Sequence, residues 1–110
     1  MATTLKILGN ALPSNTSNAA LYTVPSSTSA VVSSIVVCNQ TTTAATCRIG
    51  ADAGGDGPAT SDWIVYDVSV GPNETIAFTL GVTLATTDKI WIRTGTASAL
   101  SFAAFGQENT

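Results

Sequence analysis

The chain has 110 residues, of which 45% are hydrophobic and only 10% charged, and this length suits one domain rather than two. Four basic and seven acidic residues give a formal net charge of -3, which excludes the basic footprint of a nucleic-acid-binding or anionic-membrane-binding protein. Histidine is absent, so the sequence contains neither an imidazole-dependent catalytic triad nor a histidine zinc ligand.

The first twenty residues differ in pattern from the rest. Residues 9–20 are polar and without period, so residues 1–20 predict an extended N-terminal arm that a partner orders, and residues 21–110 predict the folded domain. The opening segment has no apolar run of signal-peptide length, and no stretch approaches the roughly 20 apolar residues of a membrane span. We therefore expect a protein made in a cytoplasm, with no membrane partner.

Short runs of β-branched and aromatic residues, separated by Gly, Pro, Asn, Ser and Asp, predict an all-β sandwich or barrel. No segment shows a helical period. About eight strands are predicted, at Thr4–Leu8, Leu21–Val24, Ala30–Asn39, Thr46–Ala51, Asp62–Val70, Thr75–Leu80, Lys89–Thr94 and Leu100–Gly106.

The two cysteines, Cys38 and Cys47, have two interpretations. If Asn39 pairs with Thr46 in an antiparallel hairpin, Cys38 lies directly opposite Cys47, close enough for a disulfide after a small adjustment. Two buried free thiols are the other interpretation, and they fit a cytoplasmic protein. Two sulfurs without other soft ligands make no metal site.

Alternation along the later strands divides the side chains between the core and the surface. In the predicted strand 62–70, Ile64, Tyr66, Val68 and Val70 are assigned to the core and Trp63 to the surface. Ile90 and Ile92 alternate in the same way with Trp91 and Arg93. Because an exposed tryptophan usually has a contact to make, Trp63 and Trp91 are candidate interface residues. A sugar-stacking platform and a register error are the alternatives.

The acidic residues offer little chemistry. Asp52, Asp56 and Asp62 surround a glycine-rich loop, but their spacing is wrong for a calcium-binding EF-hand. Asp67 and Glu74 are ordinary surface charges without the cleft that a pair of catalytic carboxylates needs. The sequence therefore predicts no catalytic, cofactor-binding or metal-binding residue and no enzyme.

Six segments, which together cover nearly the whole chain, carry a resemblance to known proteins: Leu21–Pro25, Thr28–Asn39, Ile64–Asp67, Pro72–Thr75, Gly81–Leu84 with Thr87–Asp88, and Leu100–Glu108. They resemble a family of small virion proteins of tailed bacteriophages. The resemblance implies a structural component of the virion, of the capsid cement or decoration type. It also implies two partners, the major capsid protein and copies of the chain itself, commonly in trimers. None of the segments is a catalytic signature.

The composition agrees with that implication, because a surface rich in Thr, Ser and Ala and poor in charge suits a permanently assembled protein. We expect a single antiparallel β-sandwich, jelly-roll-like, that binds the outer surface of the capsid shell and stabilises it across capsomer boundaries. The virion would assemble in the cytoplasm of the bacterial host. The apolar residues of the arm, Leu5, Ile7 and Leu8, join the tryptophans as interface candidates. A tail, baseplate or fibre-associated protein is one alternative, and a carbohydrate-binding module using Trp63 or Trp91 is another.

Overall fold

The computed structural model describes residues 2–110 as nine strands in two antiparallel sheets that enclose one core. The predicted all-β sandwich is confirmed, and each of the eight predicted strands is present within a few residues of its expected bounds. One short strand was not predicted. The strands are β1 (Thr3–Ala11), β2 (Ala19–Thr23), β3 (Ser29–Asn39), β4 (Ala45–Asp52), β5 (Trp63–Val70), β6 (Thr75–Phe78), β7 (Val82–Leu84), β8 (Lys89–Thr94) and β9 (Leu100–Asn109).

The strand order is that of a jelly roll. One sheet has the order β1-β9-β3-β6, with β7 also paired to β3, and the other has the order β2-β8-β4-β5. The chain passes from one sheet to the other after β1, β2, β3, β5, β7 and β8, so most consecutive strands face each other across the core. This winding is that of the double-sheet jelly roll.

The core fills the space between the inner faces of the two sheets. Its fully buried members include Ile35, Val37 and Phe102 from one sheet and Ile49, Ile90 and Ile92 from the other. The predicted core assignment of β8 is therefore confirmed. Two single-turn 3-10 helices, Ala53–Gly55 and Thr60–Asp62, precede β5. Within residues 2–110, no helix has the length and apolar character needed to cross a membrane.

Asn39 is a buried polar residue that ties three segments together at one end of the core. Its side chain is 1% exposed, and its Nδ2 donates to the carbonyl oxygens of Thr43 and Val70 at 2.9 and 3.0 Å. Its Oδ1 accepts from the backbone N–H and the hydroxyl of Thr41, at 2.9 and 2.8 Å. The end of β3, the loop to β4 and the end of β5 are thus joined by one side chain whose hydrogen-bonding groups are satisfied.

A β-bulge changes the predicted faces of β5. The register between β4 and β5 shifts around Asp67, which has a φ of 52°. The extra residue turns Val65 into the core and leaves Ile64 and Tyr66 exposed. The prediction that Ile64 and Tyr66 face the core is therefore wrong, whereas Val70 beyond the bulge is buried as predicted.

The cysteines lie on different sheets. Because β3 and β4 do not pair, the hairpin that would bring Cys38 opposite Cys47 does not form, and both are free thiols. Cys38 is half-buried on an outer surface and Cys47 is buried in the core. Burial raises the pKa of the Cys47 thiol to about 11, with the charge of Asp67 adding to the shift.

The N-terminal segment also differs from the prediction. Residues 3–11, assigned to an extended arm, form the edge strand β1, which pairs with β9 from Thr3 opposite Asn109 to Ala11 opposite Phe102. The sandwich therefore begins well before residue 21. The residue pattern predicted a strand at Thr4–Leu8, but not that it pairs with β9, because the partner strand is about 100 residues away in the sequence.

Candidate functional site

The outer surface of the β1-β9-β3-β6 sheet carries apolar and uncharged polar side chains, and we call it the apolar face after its exposed aliphatic members. Cross-strand pairs place its members side by side, with Ile7 opposite Phe105 and Val36 opposite Ala103. Thr, Ser, Asn and Gln side chains lie between them, and on the described strands no charged side chain points outward from this sheet. The apolar members are Leu5, Ile7, Leu12, Val31, Val36, Cys38, Ala77, Ala103 and Phe105.

Two of the three apolar interface candidates of the N-terminal segment lie on the apolar face. Leu5 is 78% exposed and Ile7 is 55% exposed, and Leu12 just beyond β1 is 47% exposed. Leu8 is different, because a bulge between Ile7 and Gly9 turns its side chain into the core, where it is 9% exposed. Burial within its own sandwich removes Leu8 from the interface candidates.

The apolar face contains two shallow cavities. One, of about 350 Å³, is lined by Leu12, Val36 and Ala103 among others. The second, of about 340 Å³, is lined by Leu5, Val31 and Phe105 among others. Open cavities between outward aliphatic side chains accept the side chains of a partner and are too open to enclose a small substrate. The face therefore has recesses that the side chains of another protein could enter.

The outer surface of the β2-β8-β4-β5 sheet holds both tryptophans. Gly50 of β4 pairs with Trp63 of β5 on one side and with Trp91 of β8 on the other, so two indoles flank a residue that has no side chain. A Cβ atom on Gly50 would lie only 3.1 Å from Cε3 of Trp63. The glycine therefore lets the indole pack against the strand, and Trp63 and Trp91 are both half-buried.

Three of the four basic residues of the chain lie on this same surface, which we call the cationic face: Arg48, Lys89 and Arg93. The Cζ atom of Arg48 lies 4.1 Å from the ring centroid of Tyr66 and 5.8 Å from that of Trp63. The Nζ atom of Lys89 lies 5.3 Å from the ring centroid of Trp91. These cation–π contacts cover ring surface on which a sugar would stack.

Asp67 holds Arg48 in place through a two-pronged ion pair. Arg48 Nε donates to Oδ1 at 2.7 Å and Nη2 donates to Oδ2 at 3.1 Å. These hydrogen bonds hold the pKa of the Asp67 carboxyl below its usual value and raise the pKa of Arg48. The bulge at Asp67 therefore sets the position of the guanidinium between the aromatic rings.

The carboxylate of Asp52 accepts two hydrogen bonds from neighbouring parts of the chain. It is buried and accepts from the indole N–H of Trp91 at 3.2 Å and from the backbone N–H of Gly57 at 2.5 Å. Asp62 lies close to it, because Oδ2 of Asp62 and Oδ2 of Asp52 would be 3.1 and 3.2 Å from a Cβ atom placed on Gly57. Nowhere in residues 2–110, however, do three or more His, Cys, Asp or Glu side chains converge as a metal site. Asp52 therefore connects Gly57 of the loop to Trp91 of β8.

No protein-family model matches the sequence, and no curated protein matches it. Among solved structures, the chain is similar to the nucleoplasmin-like N-terminal domain of Drosophila FKBP39, with 12% identity and a TM-score of 0.50 over 93% of this chain and 88% of that one. It is also similar to a chain in the structure of infectious bursal disease virus strain Gx, with 12% identity and a TM-score of 0.53. That match covers 97% of this chain but 32% of the viral one, so this chain spans about a third of its length. A weaker similarity, with 14% identity and a TM-score of 0.41, is to a pentameric capsid protein isolated from metagenomic phage sequences. The two stronger matches establish a shared fold.

Sequence reasoning placed the tryptophans, Leu5 and Ile7 outside the core, where the structure has them at least in part exposed, but it missed the charged part of the cationic face. Arg48 and Arg93 are far apart in the chain, and only the register of β4 against β8 places them directly opposite each other. The alternation of Arg93 with the buried isoleucines of β8 was the one available signal, because it placed this arginine outside. Nothing in the sequence indicated its neighbour.

Proposed function

We propose that this chain is a non-enzymatic structural component of a virus particle, and specifically a cement or decoration protein of a tailed bacteriophage. The observation that carries the proposal is the apolar face, a sheet surface without charge that exposes Leu5 and Ile7. In this proposal the face docks on the outer surface of the major capsid protein shell and links capsomers. The resemblance of the sequence to small virion proteins supports the same role.

The energetics of the apolar face fit an association role. Complete burial of Leu5 and Ile7, which are 78% and 55% exposed, contributes about 2–4 kcal/mol per copy at the usual value for aliphatic side chains. That is weak for one isolated contact. Many copies bound around a closed shell act together, however, because each bound copy holds neighbouring capsomers in register for the next. A modest contact energy per copy therefore suffices for a cement protein.

The fold supports the proposal without deciding it. Jelly rolls are common in viral capsid domains and also in lectin domains, and the chain shares its fold with part of a chain of infectious bursal disease virus. Copies of the chain itself, arranged as a homotrimer, are the second proposed partner. The proposed location is the virion surface, after assembly in the cytoplasm of the bacterial host.

The composition of purified particles tests the proposal. We expect this chain on tail-free heads in a copy number comparable with that of the major capsid protein. A few copies, lost together with the tails, would instead assign it to the tail, baseplate or fibre. Complete absence from particles would overturn the structural role.

A pair of matched variants tests the docking surface. Ile7→Glu places a charge on the apolar face, whereas Ile64→Glu places the same charge on an isoleucine of the opposite sheet with similar exposure, 49% against 55%. We expect Ile7→Glu to abolish binding of the purified chain to heads that lack it, and Ile64→Glu to bind as the unaltered chain does. Equal binding by both variants would exclude the apolar face.

Carbohydrate binding is the second candidate, and the observation in its favour is the pair of indoles that flank Gly50. Arg48 and Lys89 already lie against the aromatic rings, so a sugar would have to displace a cation from each platform. We therefore rank it below the capsid role. Glycan binding by the unaltered chain, together with its loss in Trp91→Ala, would reverse that order.

A further inference from the structure

Two arginines on the cationic face lie beside a single carboxylate. Arg48 of β4 and Arg93 of β8 are direct cross-strand partners, and like charges in that position repel each other. The chain contains only four basic residues and carries a net charge of -3. With so few basic residues, two arginines would seldom lie side by side by chance. An anion between them would relieve the repulsion.

Asp67 neutralises only one of the two arginines. Both of its oxygens are engaged by Arg48, at 2.7 and 3.1 Å. Among residues 2–110, the side chain of Arg93 forms neither an ion pair nor a hydrogen bond. The charge of Arg93 also acts on Asp67 and helps to hold the pKa of that carboxyl below its usual value, but one carboxylate cannot balance two guanidinium groups. The two arginines and Asp67 together carry a formal charge of +1, and Arg93 is a half-buried residue.

An open cavity lies beside this guanidinium. It has a volume of about 390 Å³, and its lining includes Arg48, Arg93, Asp67 and the threonines Thr16 and Thr46. Threonine hydroxyls are donors that rotate to suit a ligand oxygen. A guanidinium presents parallel N–H groups that match the paired oxygens of a carboxylate or a phosphate. The lining therefore combines a fixed positive charge with adaptable neutral donors.

We propose that the cavity between Arg48 and Arg93 is a binding site for an oxyanion, either a carboxylate or a tetrahedral phosphate or sulfate group. Arg93 is the principal donor, Arg48 supplies the second positive charge, and Thr16 and Thr46 supply hydroxyl donors. The site lies on the sheet opposite the apolar face, so it adds a function to the proposed docking role and does not depend on it. Its ligand is an acidic group of a partner molecule or a free anion.

Titration of the purified chain with simple anions tests the site. Sodium acetate, phosphate and sulfate are added in turn at constant pH and at an ionic strength held constant with sodium chloride. Binding is followed by NMR through the Nε–H signals of the arginines and the backbone amide of Gly95, which also lines the cavity. We expect saturable shifts of the Arg93 signal with at least one of the three anions.

Three variants make the test specific. Arg93→Gln should weaken binding about tenfold or more, since it removes a charged hydrogen-bond donor. Asp67→Asn should strengthen binding about fivefold, because it removes a negative charge beside the ligand, and asparagine tolerates the positive φ of the bulge. Lys89→Gln removes a charge from the same face outside the cavity and should change the Kd by less than about twofold.

The outcomes separate the ligand sources and decide the proposal. Saturation by acetate supports the site and indicates a carboxylate group as its ligand. Saturation by phosphate or sulfate alone supports the site and indicates a phosphate or sulfate ester. Shifts no larger than those given by chloride, or equal shifts in folded Arg93→Gln, overturn the proposal. Because this titration uses the isolated chain, its result is independent of the copy number found on particles.

Discussion

A single substitution at Asn39 should lower the free energy of unfolding strongly, although it changes the side-chain volume little. Asn39→Ala removes four hydrogen bonds and leaves the carbonyl oxygen of Val70 without its side-chain donor inside the protein. At about 0.5–1.5 kcal/mol for each hydrogen bond, we expect a loss of about 2–6 kcal/mol in the free energy of unfolding. A domain of this size has a total of about 5–15 kcal/mol, so the variant should fold but melt early.

Urea unfolding followed by tryptophan fluorescence and circular dichroism measures this loss. The matched control is Asn15→Ala, which removes one exposed hydrogen bond, from the backbone N–H of Ser17 at 3.1 Å, and should change stability by less than about 0.5 kcal/mol. Asn39→Asp should cost at least as much as Asn39→Ala, because it faces the two carbonyl oxygens with a buried carboxylate. A loss below about 1 kcal/mol in Asn39→Ala, at an unchanged m value, would refute the reasoning.

Two further predictions concern pH and thiol chemistry. The Tyr22 hydroxyl donates to Glu108 at 2.5 Å and, as the largest cause, holds the pKa of Glu108 below its usual value. A depressed pKa adds stability above the unfolded value of about 4.3, and this is lost as the pH falls through the folded value. The difference in unfolding free energy between the unaltered chain and Tyr22→Phe should therefore shrink as the pH falls from about 6 to about 3; a constant difference would contradict the assignment. For the cysteines, a thiol reagent should label Cys38 in the native chain and Cys47 only after unfolding, because Cys47 is buried and its pKa is raised to about 11. Mass spectrometry counts the labels, and prompt native labelling of Cys38→Ser would show that Cys47 is accessible.

The sequence was sufficient for the strands and for the sandwich because alternation is a local property. Ile90 and Ile92 are buried as their spacing in β8 predicts. The same rule failed in β5, because one residue in a positive-φ conformation, Asp67, changes the phase of the alternation. An aspartate does not by itself predict such a bulge, because aspartate and asparagine are also common in the turns between strands.

Everything that depends on which strands pair was beyond local reasoning. The expected opposition of Cys38 and Cys47 assumed that consecutive strands form hairpins, whereas β3 and β4 belong to different sheets. Residues 3–11 were assigned to an arm, although they include a predicted strand, because their pairing with β9 cannot be seen from the local sequence. For the same reason the arginine pair of the cationic face was not predicted, as it exists only through the register of β4 and β8.

The position of β9 has a consequence for how the chain reaches its folded state during synthesis. β9 is inserted between β1 and β3, so on the ribosome these two strands wait for β9 to emerge. Until then each has an unpaired backbone edge that neighbouring nascent chains can join. Pairings between strands that are far apart in sequence also slow folding, to milliseconds or seconds in all-β proteins. The chain is therefore most open to aggregation in the interval before β9 is made, and chaperone capacity at that stage would limit its yield.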